Sequence, residues 1–197
     1  MTFDVARVRS HFPSLESGVA HFDGPGGTQT PLSVGQAICK TMTGPLANQG
    51  TLTQAERNAE AAVDNARSAM ADLLGSSPEG IFFGRSMTQI TFDIARTLAQ
   101  NWGPGDEIVA SRLDHDANVR PWVRYAQQSG ATLRWIEFDP ATGHLDISDV
   151  ESVINERTKL VAITAASNLI GTRPDIPAIS KAVHAVGGLL YVDSVHN

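Results

Sequence analysis

Several polar residues that could bind a ligand or move a proton come directly after apolar, strand-like runs of this sequence. Asp193 follows four consecutive apolar residues, and a carboxylate at the rim of a core needs a partner. His115 follows another such run and can exchange a proton near neutral pH. Asn168 follows a third run and can both donate and accept hydrogen bonds. We therefore treat these three residues as candidates for a binding or catalytic site.

A fourth candidate is the segment 84–89, which opens a helical pattern. Ser86 is a suitable N-cap residue, and the free N–H groups and positive dipole end of a helix N-terminus bind phosphate. Each of the four segments also has a simpler explanation. An ordinary cap, a solvated histidine, a turn asparagine and a cap for a following helix would place the same residue types there.

The elements that must position these residues alternate between strand and helix patterns. Short apolar runs bounded by turn residues predict strands at 81–83, 107–111, 132–138, 160–164 and 189–192. Apolar spacing of three and four predicts helices at 5–12, 32–42, 53–74, 87–102, 118–129, 147–154 and 176–186. This order is typical of an α/β fold with a mostly parallel sheet flanked by helices, preceded by an N-terminal helical arm. In such sheets ligands bind beyond the carboxyl ends of the strands, where the candidates lie.

Composition narrows the class of protein. The 197 residues carry 15 basic and 21 acidic side chains, a net charge of −6 that disfavours nucleic-acid binding. A single cysteine, Cys39, excludes an internal disulfide and a cysteine-rich metal site, and its apolar neighbours predict a buried thiol. Histidine spacing indicates no metal site. No apolar run approaches the length of a membrane span and the first residues show no signal peptide, so we expect a cytoplasmic protein.

Taken together, the polar segments resemble the cofactor site of the class V aminotransferase and cysteine desulfurase family, enzymes of fold type I that use pyridoxal 5'-phosphate. The resemblance runs from residue 23 to residue 196. Four matching segments carry it: Arg-Ser-Met-Thr-Gln at 85–89, Leu-Asp-His-Asp-Ala-Asn-Val-Arg-Pro-Trp at 113–122, Ser-Asn-Leu-Ile-Gly-Thr at 167–172 and Val-Asp-Ser-Val-His at 192–196. Their common order makes the match far more specific than any one segment.

The resemblance implies a role for each matched residue. Met87 and Thr88 would bind the cofactor phosphate through their N–H groups and the Thr88 hydroxyl. His115 would stack on the pyridine ring and take part in proton transfer. Asn168 would lie near the phenolic oxygen of the ring. Asp193 would pair with the protonated ring nitrogen.

Other positions depart from the family pattern or match it in part. His196 stands where the family has glutamine near the phenolic oxygen. Gly26, Gly27 and Asn48 match substrate-side positions, but the basic residue that desulfurases carry beside Asn48 is missing. Gln89 replaces a glutamate.

The lysine that holds the cofactor as a Schiff base in this family has no match in the chain. In the family it lies about 20–25 residues beyond the aspartate that matches Asp193. Lys40, Lys159 and Lys181 are not placed after strands. We therefore expect residues 1–50 to form an arm with substrate-side loops and residues 51–197 to form part of the large cofactor-binding domain. The C-terminal small domain is expected to be absent, and the isolated chain to be inactive and poorly stable.

For the intact protein, the resemblance implies a cysteine desulfurase-like enzyme that removes sulfur or selenium from a small amino acid. It also implies a homodimer. A transaminase or lyase of the same family is the first alternative. A non-catalytic module that binds a phosphate-bearing ligand or a partner chain is the second. A nucleotide-binding α/β domain is a third, which lacks support because no glycine-rich fingerprint follows a strand.

Overall fold

The computed structural model describes residues 3–197, apart from the side chain of Pro25, and divides into two compact units. The first unit ends at Phe83 and the second spans Gly84–Asn197. The predicted domain limits, 1–50 and 51–197, stay a prediction. Within residues 3–197, no helix combines the length and apolar character that crossing a membrane requires.

The first unit is built from three helices: α1 (Val5–Arg9), α2 (Leu32–Thr43) and α3 (Gln54–Leu74). α3 is the longest because both of its ends are well capped. The Thr53 side chain accepts a hydrogen bond from the Glu56 N–H, and the Glu56 carboxylate accepts one from the Thr53 N–H at 2.8 Å. Gly75 ends the helix in the left-handed conformation, with φ of 63°.

α2 contains no buried residue, so the prediction of a buried Cys39 thiol is wrong. Its apolar side chains Val34, Ile38 and Met42 are also exposed. Helical spacing correctly predicts the helix, but spacing alone does not show whether another element covers the apolar face.

The second unit contains a sheet of four parallel strands, which confirms the predicted fold class. The strands are β1 (Glu107–Ser111), β2 (Thr132–Ile136), β3 (Thr158–Thr164) and β4 (Leu189–Asp193). Their order across the sheet is β2-β1-β3-β4. The helices of this unit are α4 (Met87–Leu98), α5 (Arg120–Ser129), α6 (Ile147–Glu151) and α7 (Ile176–Ala185).

Alternate residues of the central strands, β1 and β3, belong to two apolar clusters. Ile108 and Leu160 pack with Trp122 of α5 and residues of α4. Val109 and Val161 pack with residues of α6 and α7. Because successive side chains of a strand point to opposite faces, the two clusters cover the two faces of the sheet, and the central strands are apolar throughout.

The predicted strand at 81–83 is wrong. These residues follow a short 3-10 turn (Pro78–Gly80) and have irregular backbone, and no described residue pairs with them as a strand. Phe82 and Phe83 are more than half exposed. Three apolar residues are too few to predict a strand when nothing in the sequence specifies a neighbour.

Candidate functional site

The carboxyl ends of β1, β3 and β4 meet at one edge of the sheet and bring polar residues together. Thr164, the last residue of β3, is the register partner of Asp193, the last residue of β4. The Ala165 N–H donates to the Asp193 carbonyl at 2.8 Å, which extends the pairing into the loop after β3. The two strand ends are therefore fixed against each other.

Asp193 presents a carboxylate that is only 6% exposed. One carboxylate oxygen accepts a hydrogen bond from the Val195 N–H at 3.0 Å. A buried carboxylate is stable when partners offset the loss of water, and a single backbone donor leaves room for another. The end of β4 is therefore suited to bind a cationic group.

His115 lies in the turn after β1, with its imidazole exposed at the same edge of the sheet. Its Nδ1 accepts a hydrogen bond from the Ala117 N–H at 3.1 Å. A ring nitrogen that accepts a hydrogen bond carries no proton, so the neutral imidazole holds its proton on Nε2. His115 thus presents the protonated Nε2 side of its ring away from the turn.

Asn168 is half-buried in the loop between β3 and α7. His115 and Asn168 both line a cavity of about 570 Å³ that also includes Asp114. The structure therefore brings together two candidates that are 53 positions apart in the chain. Volumes of this size are typical of small-molecule sites.

The N-terminus of α4 has the geometry of an anion site. The Ser86 side chain caps it by accepting from the Gln89 N–H at 3.2 Å, as predicted. Ser86 has an extended backbone with φ of −162°, so serine fits this turn without strain. The N–H groups of Met87 and Thr88 belong to the first turn of the helix, where no carbonyl of the helix can accept from them. They are available to an anion such as a phosphate.

A hydrogen-bonded pair connects α4 to β4. The Thr91 and Tyr191 hydroxyls lie 2.9 Å apart, and the Thr91 hydroxyl also donates to the Met87 carbonyl at 2.9 Å. Tyr191 is two residues before Asp193 and points to the same face of the strand. The N-terminal turn of α4 and the end of β4 are therefore held together by direct contacts.

Asp114, which precedes His115 and shares its turn, is a residue of the site that was not predicted from the sequence. Burial raises the pKa of Asp114 to about 7, with a smaller contribution from the charge of Asp193, although hydrogen bonds from Ser111, Asn118 and the Thr164 backbone act to lower it. No sequence pattern indicates its burial or its bonds to Ser111 and Asn118.

The remaining residues that were predicted to contact cofactor or substrate are all exposed. His196 is exposed, three residues beyond the end of β4. Gly26, Gly27 and Asn48 are exposed residues of the first unit. Their predicted contacts with a cofactor or substrate stay predictions.

Two of the three lysines lie in defined places in the second unit. Lys159 is the second residue of β3, at its amino end, and its ammonium group lies 3.4 Å from the Asp106 carboxylate. Lys181 is an exposed residue of α7. Lys40 belongs to α2 of the first unit. The absence of a Schiff-base lysine from the chain stays a prediction.

The model of the class V aminotransferase family matches residues 20–197, so the chain belongs to that family. An uncharacterised protein of Mycobacterium tuberculosis is 38% identical over 193 residues, which cover 98% of this chain and 48% of the relative. A cysteine desulfurase of Dickeya dadantii is 33% identical over 202 residues, covering 97% of this chain and 48% of the relative.

The solved structure of another cysteine desulfurase has the same fold. The cysteine desulfurase of Thermococcus onnurineus superposes with a TM-score of 0.90 and 28% sequence identity, over 98% of this chain and 48% of that chain. The chain thus spans about half the length of the proteins it matches. The resemblance inferred from four short segments is confirmed at the level of family and fold.

Proposed function

We propose that this chain supplies the pyridoxal 5'-phosphate site of an enzyme that removes sulfur or selenium from a small, cysteine-like amino acid. The observation that carries the proposal is the buried carboxylate of Asp193, at the edge of the sheet where it can meet a cationic ring. When bound, pyridoxal phosphate withdraws electrons from the substrate carbon next to the amino group.

The residues present fit this cofactor at three points. The N–H groups of Met87 and Thr88, with the Thr88 hydroxyl, suit a phosphate. The Asp193 carboxylate suits a protonated ring nitrogen because charge-assisted hydrogen bonds are the strong ones. The exposed imidazole of His115 suits a stacking partner that can also hold or release a proton at Nε2.

Asn168 and His196 are assigned to the phenolic oxygen of the cofactor. Asn168 supports this role because it lines the same cavity as His115 and can donate through its amide group. For His196 the support is its place three residues after Asp193. Gly26, Gly27 and Asn48 are proposed to approach the substrate, on the family resemblance alone.

Desulfuration is preferred because a relative that matches almost the whole chain is named a cysteine desulfurase, as is the solved structure. Transamination or another lyase reaction is the second candidate, favoured by the description of the family model. We propose a homodimer for the intact enzyme. We also propose that the 197 residues alone bind the cofactor without turning over substrate.

Cofactor binding tests this proposal. Pyridoxal phosphate is titrated into the protein while its visible absorbance and the tryptophan fluorescence are recorded. We expect saturable binding that Asp193→Asn weakens at least tenfold. Asp72→Asn, which removes an exposed carboxylate of α3, serves as the matched control and should bind as the unmodified protein does. Equal binding by Asp193→Asn would overturn the assignment.

The reaction type needs a separate measurement. The intact enzyme is supplied with cysteine, and the release of sulfide with alanine is compared with amino-group transfer to a 2-oxo acid. Sulfide release supports desulfuration, and amino-group transfer without sulfide supports the second candidate. Borohydride reduction followed by peptide mapping then locates any lysine attached to the cofactor. A unique adduct on Lys40, Lys159 or Lys181 would contradict the expectation that the chain lacks this lysine.

A further inference from the structure

Asp114 is half-buried and is held by a chain of hydrogen bonds that has no role in the proposed cofactor contacts. The Ser111 hydroxyl bonds one carboxylate oxygen. The Asn118 side-chain amide donates to the other at 2.6 Å. The Trp122 indole N–H in turn donates to the Asn118 side-chain carbonyl at 3.1 Å. Ser111, Asn118 and Trp122 are completely buried.

These bonds fix the turn that carries His115. The Asn118 N–H donates to the His115 carbonyl at 2.8 Å, so the residue that binds Asp114 also closes the turn. At the start of the turn, the Ser111 hydroxyl accepts from the Leu113 N–H at 3.2 Å. Asp114 bridges these two ends through its two oxygens. The orientation of the His115 backbone therefore depends on the Asp114 carboxyl group.

The same chain of contacts continues to the other cofactor-facing elements. The Trp122 ring packs edge-on against the Tyr191 ring, with centroids 4.9 Å apart and an angle of 67°. Tyr191 is bonded to Thr91 of α4 and precedes Asp193 by two residues. Trp122 thus connects the His115 turn to β4 and, through Tyr191, to Thr91 of α4.

The charged groups around Asp114 come from several elements. Asp193 on β4 adds a negative charge, and β3 contributes the backbone of Thr164. On its own turn, Asp116 forms an exposed ion pair with Arg120, the first residue of α5. His115 is the neighbouring titratable group. Burial is the largest cause of the raised pKa of Asp114, at about 7, so its carboxyl group is neutral in a large fraction of molecules at neutral pH.

We propose that Asp114 is a positioning residue: by joining Ser111 to Asn118 it orders the turn that carries His115, beside the end of β4. Because Asp114 binds a proton near neutral pH, this ordering should respond to pH. The effect on a cofactor at Asp193 rests on the proposed function, whereas the ordering of the turn concerns the protein alone.

The test uses the protein without cofactor. The carboxyl carbon of Asp114 and the indole N–H of Trp122 are followed by NMR from pH 5 to pH 9, a range chosen to bracket a midpoint at about 7. We expect both resonances to titrate together with that midpoint, because Asn118 connects the two groups. An Asp114 carboxyl that titrates at the ordinary value of 3.8 would overturn the proposal, and this measurement needs no variant.

Variants then separate Asp114 from its neighbours. Asp114→Asn keeps the shape of the side chain and an acceptor for the Asn118 amide, and should abolish the titration of the Trp122 indole N–H. Asp116→Asn, the matched control on the same turn, should retain it, as should His115→Gln. If the Trp122 titration is lost in His115→Gln but retained in Asp114→Asn, the proton belongs to His115 and the proposal is contradicted.

Pyridoxal phosphate binding distinguishes this inference from the proposed function. If the protein binds the cofactor, its affinity should vary between pH 6 and pH 8, and that variation should flatten in Asp114→Asn. An unchanged pH profile in the variant would contradict the role beside Asp193. If neither protein binds the cofactor while Trp122 titrates as expected, the proposed function fails and the ordering role of Asp114 stands.

Discussion

Among single residues, the two aspartates of the site, Asp114 and Asp193, have different hydrogen-bond partners. The buried Asp193 carboxylate accepts a hydrogen bond from the Val195 N–H. Asp114 has both oxygens occupied by Ser111 and Asn118, and burial favours its neutral form. Burial therefore makes Asp114 a group of this site that binds a proton near neutral pH.

The raised pKa of Asp114 predicts how stability depends on pH. The folded protein binds this proton up to about pH 7, whereas an unfolded aspartate releases it near 3.8. The contribution of Asp114 to the free energy of unfolding is therefore largest at low pH and falls as pH rises between these values. Above pH 7 it changes no further.

Asp114→Asn should remove this dependence. Relative to the unmodified protein, the variant should gain stability between pH 4 and pH 7, by no more than about 4 kcal/mol, since each unit of pKa difference corresponds to about 1.4 kcal/mol. Urea unfolding at a series of pH values measures the difference. A constant difference across this range would show that Asp114 titrates normally. Asp116→Asn, which removes an exposed carboxylate of the same turn, serves as the control.

The sequence was informative about residue types and less so about residue environments. Asp193 and His115 could be identified because each follows a strand pattern. Asp114 could not be identified from the sequence, because its role depends on burial and on hydrogen bonds to Ser111 and Asn118. Burial of Cys39 was predicted wrongly for the same reason, because apolar neighbours on a helix do not show whether another element packs against it.

Among the elements, the turn after β2 supports the loop that carries Asn168. The Asp139 side chain accepts from the Ala141 N–H at 2.8 Å and from the Thr142 hydroxyl at 2.9 Å, which closes the turn. Gly143 then passes against Ile170, and a Cβ added at Gly143 would lie 2.5 Å from the Ile170 side chain. Asn168 therefore depends on close packing between two loops.

Gly143→Ala should disturb this packing, and Gly187→Ala is its matched control. Both glycines have a left-handed backbone, with φ of 73° and 79°, so each alanine should cost about 1–2 kcal/mol. At Gly187 nothing lies within 4 Å of an added Cβ. We expect Gly143→Ala to shift the NMR resonances of Ile170 and Asn168 as well, and to weaken cofactor binding.

Gly187→Ala should lose stability but should leave the resonances of Ile170 and Asn168 and the binding of cofactor unchanged. Unchanged Asn168 resonances in Gly143→Ala would show that the two loops do not depend on each other. Urea unfolding of both variants checks that the backbone cost is comparable.

Element prediction succeeded where the pattern was long and bounded. The limits of β1 were predicted correctly because an apolar run stands between turn residues, and α3 was predicted to within one residue because Thr53 and Gly75 mark its ends. The run at 81–83 failed because a strand needs a partner that three residues cannot specify. The pairing order β2-β1-β3-β4 depends on contacts between distant segments, which the sequence pattern does not contain.

At the scale of the whole molecule, the apolar residues of α2 predict self-association of the 197-residue chain. Ile38 and Met42 are 54% and 74% exposed and share a helix face. Exposed apolar faces of this kind favour association. Ile38→Lys should reduce the sedimentation coefficient at high protein concentration.

Gln36→Lys, an exposed polar position of α2, is the charge-matched control and should leave association unchanged. Sedimentation velocity over a range of protein concentrations makes the comparison. A chain that stays monomeric at all concentrations, or equal effects of both variants, would contradict a role for this face.

The central claim is that the carboxyl edge of the sheet binds pyridoxal phosphate, and a structure of the protein with that cofactor tests it most directly. We expect the phosphate at the N-terminus of α4, contacting the N–H groups of Met87 and Thr88. The ring should lie against His115, with its nitrogen bonded to the Asp193 carboxylate. A cofactor bound elsewhere, or a ring nitrogen that does not contact Asp193, would contradict the account.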